Sequence, residues 1–255
     1  MTCRAYRLMF LLVWGLAGLS ASEGQGAQNK PQPGVLGKDD RKIVANTDPA
    51  FNAIGHINVT SFSKKRRCTG TLIAPDRVVT SAHCVVDALG NPRPAGHIHF
   101  VAGVHRGEYL GHAKAKCVHL AKTPYTHVRT FAPELINDIA LVVLAKQLDI
   151  PPLSLAREIS DPNNISLSHP SYPRDSRYAL FAHSDCRLRG RKHGLWLTDC
   201  DTTPASSGGP LLVRAGTKFQ LGAVMSGFVP GKFTVAVPVS RWTELLQKQT
   251  CPGIH

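Results

Sequence analysis

Short runs of β-branched and alternating apolar residues, separated by turn residues, fill most of the chain between positions 53 and 239. Alternation of period two is typical of strands, and none of these runs has the 3.6-residue period of a helix. Many short, closely spaced strands favour antiparallel barrels or sandwiches. The predicted strands are 53–60, 69–73, 77–81, 97–104, 113–120 and 139–144, followed by 178–184, 195–199, 210–213, 219–226 and 233–239.

The pair Pro151-Pro152 separates these strands into two sets. The fold class is therefore all-β, with a first unit at about 48–148 and a second at about 152–239. A helix is expected only at about 240–249, where Trp242 lies on an apolar face with leucines at helical spacing. About 210 folded residues suffice for two small barrels, each with a core of its own.

Residues 1–22 have the composition of a secretory signal peptide, because two arginines precede an apolar run at 8–19 and small residues follow it. The run is shorter than the roughly 20 residues of a membrane span, and no later segment is apolar enough to be one. We therefore expect a secreted or periplasmic protein without a transmembrane segment. Residues 23–38 are rich in Gln, Gly and Pro and predict a flexible leader or propeptide, followed by a folded domain at 39–255.

The formal charge is +13, and much of it lies in two clusters. Solvated loop tips are the usual reason for such clusters, and attraction to anionic substrates or to an anionic surface is the alternative. No recognition motif or aromatic platform accompanies the charge, so specific nucleic-acid binding is not expected. The clusters are Lys64-Lys65-Arg66-Arg67 and the group Arg187, Arg189, Arg191 and Lys192.

Three short segments contain a histidine, an aspartate and a serine in that order: His83 in TSAHC, Asp138 in NDIAL and Ser207 in ASSGGPL. A serine hydroxyl is a weak nucleophile, so it needs an imidazole to accept its proton and a carboxylate to orient that imidazole. The glycines that follow Ser207 let the backbone turn tightly and approach a substrate carbonyl. The spacing to these glycines selects Ser207 rather than Ser206 as the nucleophile.

The order and the flanking residues of these motifs resemble the chymotrypsin-fold, trypsin-like serine proteases over about 39–255. The segments GKDDR at 37–41 and AIG at 53–55 are most similar to the bacterial glutamyl-endopeptidase-like branch. The resemblance implies two antiparallel six-stranded β-barrels and an acyl-enzyme mechanism on protein or peptide substrates. It assigns His83 and Asp138 to the first barrel and Ser207 to the second. We expect a monomer without a cofactor.

The resemblance also assigns the oxyanion hole to the backbone amides of Ala205 and Ser207. The family usually has glycine at the position of Ala205, in a backbone conformation that is unfavourable for alanine. This departure leaves open an alternative, a catalytically impaired homologue that acts as a basic binding protein. The presence of all three triad residues favours the endopeptidase.

Six cysteines follow the signal peptide, and an even number in a secreted chain indicates disulfides. Cys68–Cys84 matches the family's bridge beside the catalytic histidine, Cys186–Cys200 would brace a hairpin ahead of the nucleophile, and Cys117–Cys251 remains by elimination. The sequence contains no CxxC pair, which is the spacing that would indicate a metal site. His97, His99 and His105 lie close in sequence, but no third ligand is tied to them by spacing, so no metal is expected.

Four residues are candidates for the specificity pocket. Asp201 precedes the nucleophile by six positions, where trypsin-like enzymes have the aspartate that pairs with Arg or Lys. Ser226 belongs to the strand that lines the pocket, and Gly227 and Gly231 leave room for a long side chain. The glutamyl-endopeptidase-like branch has a histidine just before the strand serine, whereas this chain has Met225. The residue types favour basic or mixed specificity over glutamate.

Activation by a new N-terminus is not expected. The segment Lys42-Ile43-Val44 superficially resembles a trypsinogen activation site, in which the freed amine pairs with an aspartate beside the catalytic serine. Ser206 occupies the place of that aspartate, and a hydroxyl cannot form the ion pair.

Overall fold

The computed structural model describes residues 32–44, 48–60, 65–123, 125, 133–156, 165–248 and 250–251. The predicted signal peptide and residues 23–31 of the predicted leader lie outside this set. The described residues all belong to one unit, Pro31–His255. Within them, no helix has the length and apolarity needed to cross a membrane.

Strands account for most of the described secondary structure, as the period-two runs predict. The strands are β1 (Lys42–Ile43), β2 (Ile54–Val59), β3 (Arg66–Ala74), β4 (Arg77–Thr80), β5 (Ile98–Ala102), β6 (Gly111–Leu120), β7 (Ala140–Leu144), β8 (Ser166–Ser171), β9 (Phe181–Lys192), β10 (Leu195–Thr198), β11 (Pro210–Ala215), β12 (Lys218–Val229) and β13 (Phe233–Pro238). The short α-helix α1 spans Ala82–Val85, and 3₁₀ turns span Pro49–Ala53, Ala95–His97, Pro133–Asn137, Val239–Arg241 and Thr243–Gln247.

The first barrel closes in the order β2-β3-β4-β7-β6-β5, with antiparallel pairing throughout. Alternation of side chains across the sheet explains its core. In β5, Ile98, Phe100 and Ala102 are buried, whereas His99 and Val101 between them are partly exposed. All five residues of β7 are buried, because this strand is covered on both faces.

The second barrel contains β8 to β13. Its strands follow the order β9-β10-β13-β12-β11-β8, and an additional pairing of β8 with β9 closes the ring. β1 pairs with β9 outside this ring. The prediction of two antiparallel six-stranded barrels is therefore confirmed. A bulge in β12 leaves Ser226 between two paired residues, and bulges of this kind are common beside active sites.

The predicted C-terminal helix at 240–249 was wrong in its conformation. The structure forms two 3₁₀ turns there, because Trp242 adopts φ −136° and ψ 20° and interrupts the helical backbone. Trp242 and Leu245 are nevertheless buried against the core, as their shared apolar face predicts. Single turns suffice to bury these two side chains. The Cys117–Cys251 disulfide then links Cys251, which follows these turns, to β6.

Residues 32–38 differ from the flexible leader that their composition predicted. Thr202 N–H donates to the Gly34 carbonyl over 3.0 Å, and β1 extends the same segment onto β9. A Cβ on Gly34 would lie 2.3 Å from the Thr202 carbonyl oxygen, and its φ of +88° is one that glycine tolerates best. The segment is held against the second barrel by backbone contacts, which composition alone does not predict.

Candidate active site

α1 places His83 at the junction of the two barrels. The chain leaves β4 at Thr80, and Ser81 takes the extended conformation that precedes the helix. The Ser81 hydroxyl makes no capping bond within the helix and instead donates to the Met225 carbonyl in β12, over 2.8 Å. One buried serine thus links the start of the histidine helix to the second barrel.

Asp138 accepts two hydrogen bonds from His83. The ring Nδ1 lies 2.8 Å from Asp138 Oδ2, and the backbone N–H of His83 donates to Oδ1 over 2.9 Å. The carboxylate is 1% exposed. Burial acts to raise the Asp138 pKa, but the charge and hydrogen bonds of His83 and the Ser226 hydroxyl outweigh it, so the pKa is lowered. The pair can hold the imidazole in the tautomer with a proton on Nδ1.

Two further groups act on this carboxylate. The Ser226 hydroxyl donates to Asp138 Oδ2, and burial together with the charge and hydrogen bond of Asp138 raises the pKa of Tyr125. Ser226 was a sequence candidate for the specificity pocket, and its hydroxyl contacts the candidate catalytic carboxylate of Asp138. Sequence reasoning missed Tyr125, because no pattern ties a tyrosine in a loop to an aspartate 13 positions later.

Thr69, next to the disulfide-bonded Cys68, holds the Ser207 loop in place. Its N–H donates to the Ser207 carbonyl over 2.9 Å, and its hydroxyl donates to the Ala205 carbonyl over 3.0 Å. The same hydroxyl accepts the Tyr172 N–H over 3.1 Å. Thr69 was not a sequence candidate, although its place beside Cys68 in the family's bridge was the available signal.

The loop adopts two positive φ angles beside the nucleophile. Gly208 has φ +81°, and a Cβ there would lie 2.1 Å from Thr80 Oγ1 and 2.2 Å from the Thr69 carbonyl oxygen. Only glycine fits between the loop and the first barrel. Ala205 has φ +80°, the conformation that is unfavourable for alanine. The backbone at the proposed oxyanion hole therefore adopts a conformation that suits glycine, and the alanine at this position is strained.

Three disulfides join the six described cysteines in the pairs predicted from the sequence. Cys68–Cys84 links β3 to α1, Cys186–Cys200 links β9 to the segment after β10, and Cys117–Cys251 links β6 to the chain end. The first bridge places Cys84 Sγ 3.8 Å from the Ser207 carbonyl oxygen. This contact brings the histidine helix and the serine loop together.

Asp201 lies in an environment that differs from the predicted pocket floor. Its Oδ1 accepts the Leu36 N–H over 2.8 Å, and its Oδ2 accepts the Asp40 N–H over 3.0 Å and lies 3.2 Å from His183 Nδ1. Burial acts to raise the Asp201 pKa, but His183 and the two N–H donors outweigh it, so the pKa is lowered. The carboxylate is therefore engaged inside the fold by the N-terminal segment.

Arg41 anchors the same segment to the loop before the nucleophile. Its guanidinium donates to Thr203 Oγ1 over 2.6 Å and forms ion pairs with Asp39 at 2.7 Å and Asp175 at 3.0 Å. The side chain is 3% exposed, so these pairs are well shielded from water. The Ser206 N–H in turn donates to the Thr203 carbonyl over 2.9 Å. The loop is thus supported from the N-terminal side as well as by Thr69.

The remaining pocket candidates border open space. A Cβ added to Gly227 or Gly231 would meet no atom within 4 Å. Met225 is fully buried in β12, and Gly208 N–H donates to its carbonyl over 2.7 Å. Gly227 and Gly231 therefore have open surroundings, whereas Asp201 has its carboxylate directed to other partners.

Ser206 is fully buried and accepts a hydrogen bond from the Ser171 hydroxyl over 2.9 Å. The described side-chain partner of Ser206 is a neutral hydroxyl, and we still expect no activation by an ion pair at this position. Lys42 and Ile43, which flank the bond that a trypsinogen-like activation would cleave, are already paired with β9. The loop is formed with the N-terminal segment in the uncleaved chain.

The histidines considered as metal ligands do not gather around a common point in the described residues. His99 Nδ1 lies 2.9 Å from His112 Nε2, and the two rings stack with centroids 5.2 Å apart. The described clusters of three ligating side chains lie elsewhere: Cys68, His83 and Cys84; Cys186, Asp199 and Cys200; and Asp40, His183 and Asp201. The four cysteines are disulfide-bonded, and both Asp201 oxygens accept N–H donors.

Comparison with known proteins agrees with this geometry. Residues 68–218 match the family model described as a trypsin-like peptidase domain. A solved structure of a Glu endopeptidase in complex with MPD superposes with a TM-score of 0.68 at 22% identity, covering 84% of this chain and 97% of that one. No curated protein sequence matches the chain. The matched domain includes more than half of the chain and all the candidate catalytic residues, so the chain belongs to the trypsin-like peptidase family and is a serine-type endopeptidase.

Proposed function

We propose that the protein is a secreted serine endopeptidase with His83, Asp138 and Ser207 as its catalytic triad. Ser207 attacks the peptide carbonyl while His83 accepts its proton and then donates it to the leaving amine. Asp138 orients the imidazole and stabilises its protonated form. The observation that carries the proposal is the hydrogen-bonded pair of His83 with the buried carboxylate of Asp138, which lies beside the Ser207 loop at the junction of the two barrels.

The backbone amides of Ala205 and Ser207 stabilise the tetrahedral oxyanion in this mechanism. Such a donor contributes about 3–4 kcal/mol in well-studied enzymes. The two hydrogen bonds from Thr69 to this loop, together with Arg41 on Thr203, hold the loop in one conformation before substrate arrives. A preformed hole costs no reorganisation during the reaction.

A fluorophosphonate probe tests the triad without knowledge of the substrate. We expect the wild-type protein to be labelled covalently at Ser207, and Ser207→Ala and His83→Ala to lose nearly all labelling and peptidase activity. Ser206→Ala is the matched control, because the Ser206 side chain is fully buried and, among the described residues, its hydroxyl bonds Ser171. Undiminished turnover by Ser207→Ala would refute the assignment. An unlabelled wild type would favour the binding-protein alternative, to which the strained φ of Ala205 gives support.

Mixed specificity at the residue before the scissile bond fits the pocket best. Asp201 offers no free carboxylate to a basic side chain, because Leu36, Asp40 and His183 engage it. Met225 replaces the histidine that the glutamyl-endopeptidase-like branch has before its strand serine. A peptide-library cleavage profile tests this, and dominant cleavage after glutamate would contradict it.

Secretion rests on the signal peptide at 1–22 and on the three disulfides, which form in oxidising compartments. Sequencing the N-terminus of protein recovered outside the cytoplasm tests the cleavage point. We expect a mature N-terminus that retains residues 32–44, because Asp201 and Thr203 bind this segment. A mature chain that begins after Arg41 would contradict it.

A further inference from the structure

A cleft of about 810 Å³ adjoins the candidate active site. Ala205, whose amide belongs to the proposed oxyanion hole, forms part of its wall, and most of the lining comes from the first barrel. No acidic residue lines the cleft among those that the structure describes. Six cationic side chains do: Lys65, Arg66, Arg67, Arg93, Arg174 and Arg177.

The positive charge of this cleft is not compensated inside the protein. None of the six cations takes part in an ion pair among the described residues. Arg67 Nε is buried and has no hydrogen-bond partner, while its Nη2 lies 3.3 Å from the Arg174 carbonyl oxygen. Burial, followed by the charges of Arg177 and Arg174, lowers the pKa of Arg67. An anionic ligand would offset the repulsion among these cations. It would also supply a hydrogen-bond acceptor to the cleft.

The cleft lies on the side of the nucleophile from which the leaving group departs. His83 donates its proton to the leaving amine, so the chain that follows the scissile bond passes the His83 side of Ser207. Arg66, a cleft residue, donates to the His83 backbone carbonyl. Gly227, a sequence candidate for the pocket that receives the preceding residue, belongs to β12 of the second barrel. The two sides of the scissile bond therefore meet different surfaces.

We propose that this basic cleft binds the substrate segment that follows the scissile bond and selects acidic side chains in it. The inference rests on the proposed endopeptidase function and adds a specificity site to it. Carboxylates that enter the cleft would pair with cations that form no ion pair among the described residues, and such cations in a confined cleft attract carboxylates strongly. The ligand is thus an acidic peptide segment of the substrate.

Matched fluorogenic peptides test the selectivity. They share the residues before the scissile bond and carry Glu-Asp-Glu or Gln-Asn-Gln after it, so that only the charge differs. We expect kcat/KM at low salt to be about tenfold or more higher for the acidic peptide, and the difference to shrink as salt screens the charges. Equal kcat/KM for the two peptides would overturn the proposal.

Variants that remove positive charges show which residues cause the preference for the acidic peptide. Arg174→Gln/Arg177→Gln removes two exposed guanidinium groups from the cleft wall, and it should lower the acidic-to-neutral ratio several-fold. Arg67→Gln should also lower this ratio, because it removes the partly buried guanidinium of the cleft. Arg187→Gln/Lys218→Gln removes two exposed cations outside the cleft and should keep the wild-type ratio. A ratio lowered equally by both double variants would show a general charge effect and overturn the site.

Binding to Ser207→Ala separates this proposal from the catalytic one. Fluorescence anisotropy with the acidic and neutral peptides measures the cleft without turnover, and tighter binding of the acidic peptide supports the site even if no peptide is hydrolysed. Wild-type protein that neither hydrolyses peptides nor reacts with the probe would refute only the proposed function. Binding of a sulfated polysaccharide that Arg174→Gln/Arg177→Gln abolishes, with no discrimination between the peptides, would refute the acidic-peptide site.

Discussion

Two buried aspartates, Asp138 and Asp201, make similar carboxylate contacts in different parts of the molecule, although the Asp201 N–H also donates to His183 Nδ1. Each is 1% exposed, each lies within 3.2 Å of a histidine Nδ1, and each accepts at least one backbone N–H. Each has a pKa lowered by these partners against the effect of burial. Local chemistry alone therefore does not distinguish a catalytic carboxylate from a structural one.

The position of each pair relative to the two barrels makes the difference. Asp138 lies at the junction, where Ser226 from the second barrel donates to it and where His83 stands beside the Ser207 loop. Asp201 lies where the N-terminal segment meets the second barrel, and its partners Leu36 and Asp40 are backbone donors. A carboxylate and histidine act in catalysis only where a nucleophile faces the imidazole.

Replacing each aspartate by asparagine should give the largest difference in activity between the two positions. We expect Asp138→Asn to lower kcat by about 10⁴-fold, because the amide favours the wrong imidazole tautomer. Asp201→Asn is the matched control and should lower kcat far less, since it touches neither His83 nor Ser207. Steady-state kinetics on folded variants measures both, and similar losses in the two variants would refute the separation of roles.

Thr69→Val tests how far the nucleophile loop depends on the first barrel. The substitution keeps the shape but leaves the Ala205 carbonyl and the Tyr172 N–H without a partner, at a cost of about 1–3 kcal/mol. If the lost hydrogen bonds let the Ser207 loop leave its active conformation at this free-energy cost, kcat drops by about 10- to 100-fold. Thr71→Val is the control, because the buried Thr71 hydroxyl has no partner to lose. Equal effects of the two substitutions would exclude a positioning role for Thr69.

Asp201→Asn should lower the free energy of unfolding by about 1–3 kcal/mol, since the amide cannot accept all the hydrogen bonds of the carboxylate. The sign of the pH dependence follows from two shifts. The lowered Asp201 pKa gives stabilisation that is complete above the ordinary value of 3.8 and is lost as pH falls through the lowered pKa.

The pKa of His183 sets the upper limit of the pH range in which the Asp201–His183 pair is fully stabilising. Burial acts to lower its pKa, but Asp201 raises it above 6.5, so its stabilisation is complete below 6.5 and is lost as pH rises through the raised pKa. The stability difference between wild type and Asp201→Asn should therefore be largest between pH 3.8 and 6.5. Urea denaturation across this range measures it, and a difference that does not vary with pH would contradict the ion pair.

Ala205→Gly should give the smallest effect. Glycine adopts the φ of +80° without strain but gains entropy in the unfolded chain, so a net stabilisation of about 0.5–1 kcal/mol is expected. The change keeps the backbone amide, so kcat should stay within a few-fold of wild type. Thermal and urea unfolding compare the two proteins, and a clear destabilisation would show that the positive φ carries no strain.

The sequence by itself determined those features that depend on local patterns or on residue types. Period-two runs predicted most strands of both barrels, as in β5, where alternate residues are buried, but no predicted run covered β8. The order of His83, Asp138 and Ser207, with the glycine that follows, indicated the chemistry, because few residue types can perform it. Trp242 and Leu245 were expected in the core and are buried there, although the backbone around them is 3₁₀ rather than α-helical.

Tertiary structure alone decided the roles that depend on contacts between distant positions. Asp201 bonds Leu36 across 165 positions, and this contact converts a candidate specificity residue into an anchor for a segment predicted to be flexible. The basic cleft likewise combines Arg67 of β3 with Arg174 and Arg177 from the far side of the chain. Strand periodicity depends on each residue's own neighbours, whereas the partner of a buried charge depends on how the whole chain packs.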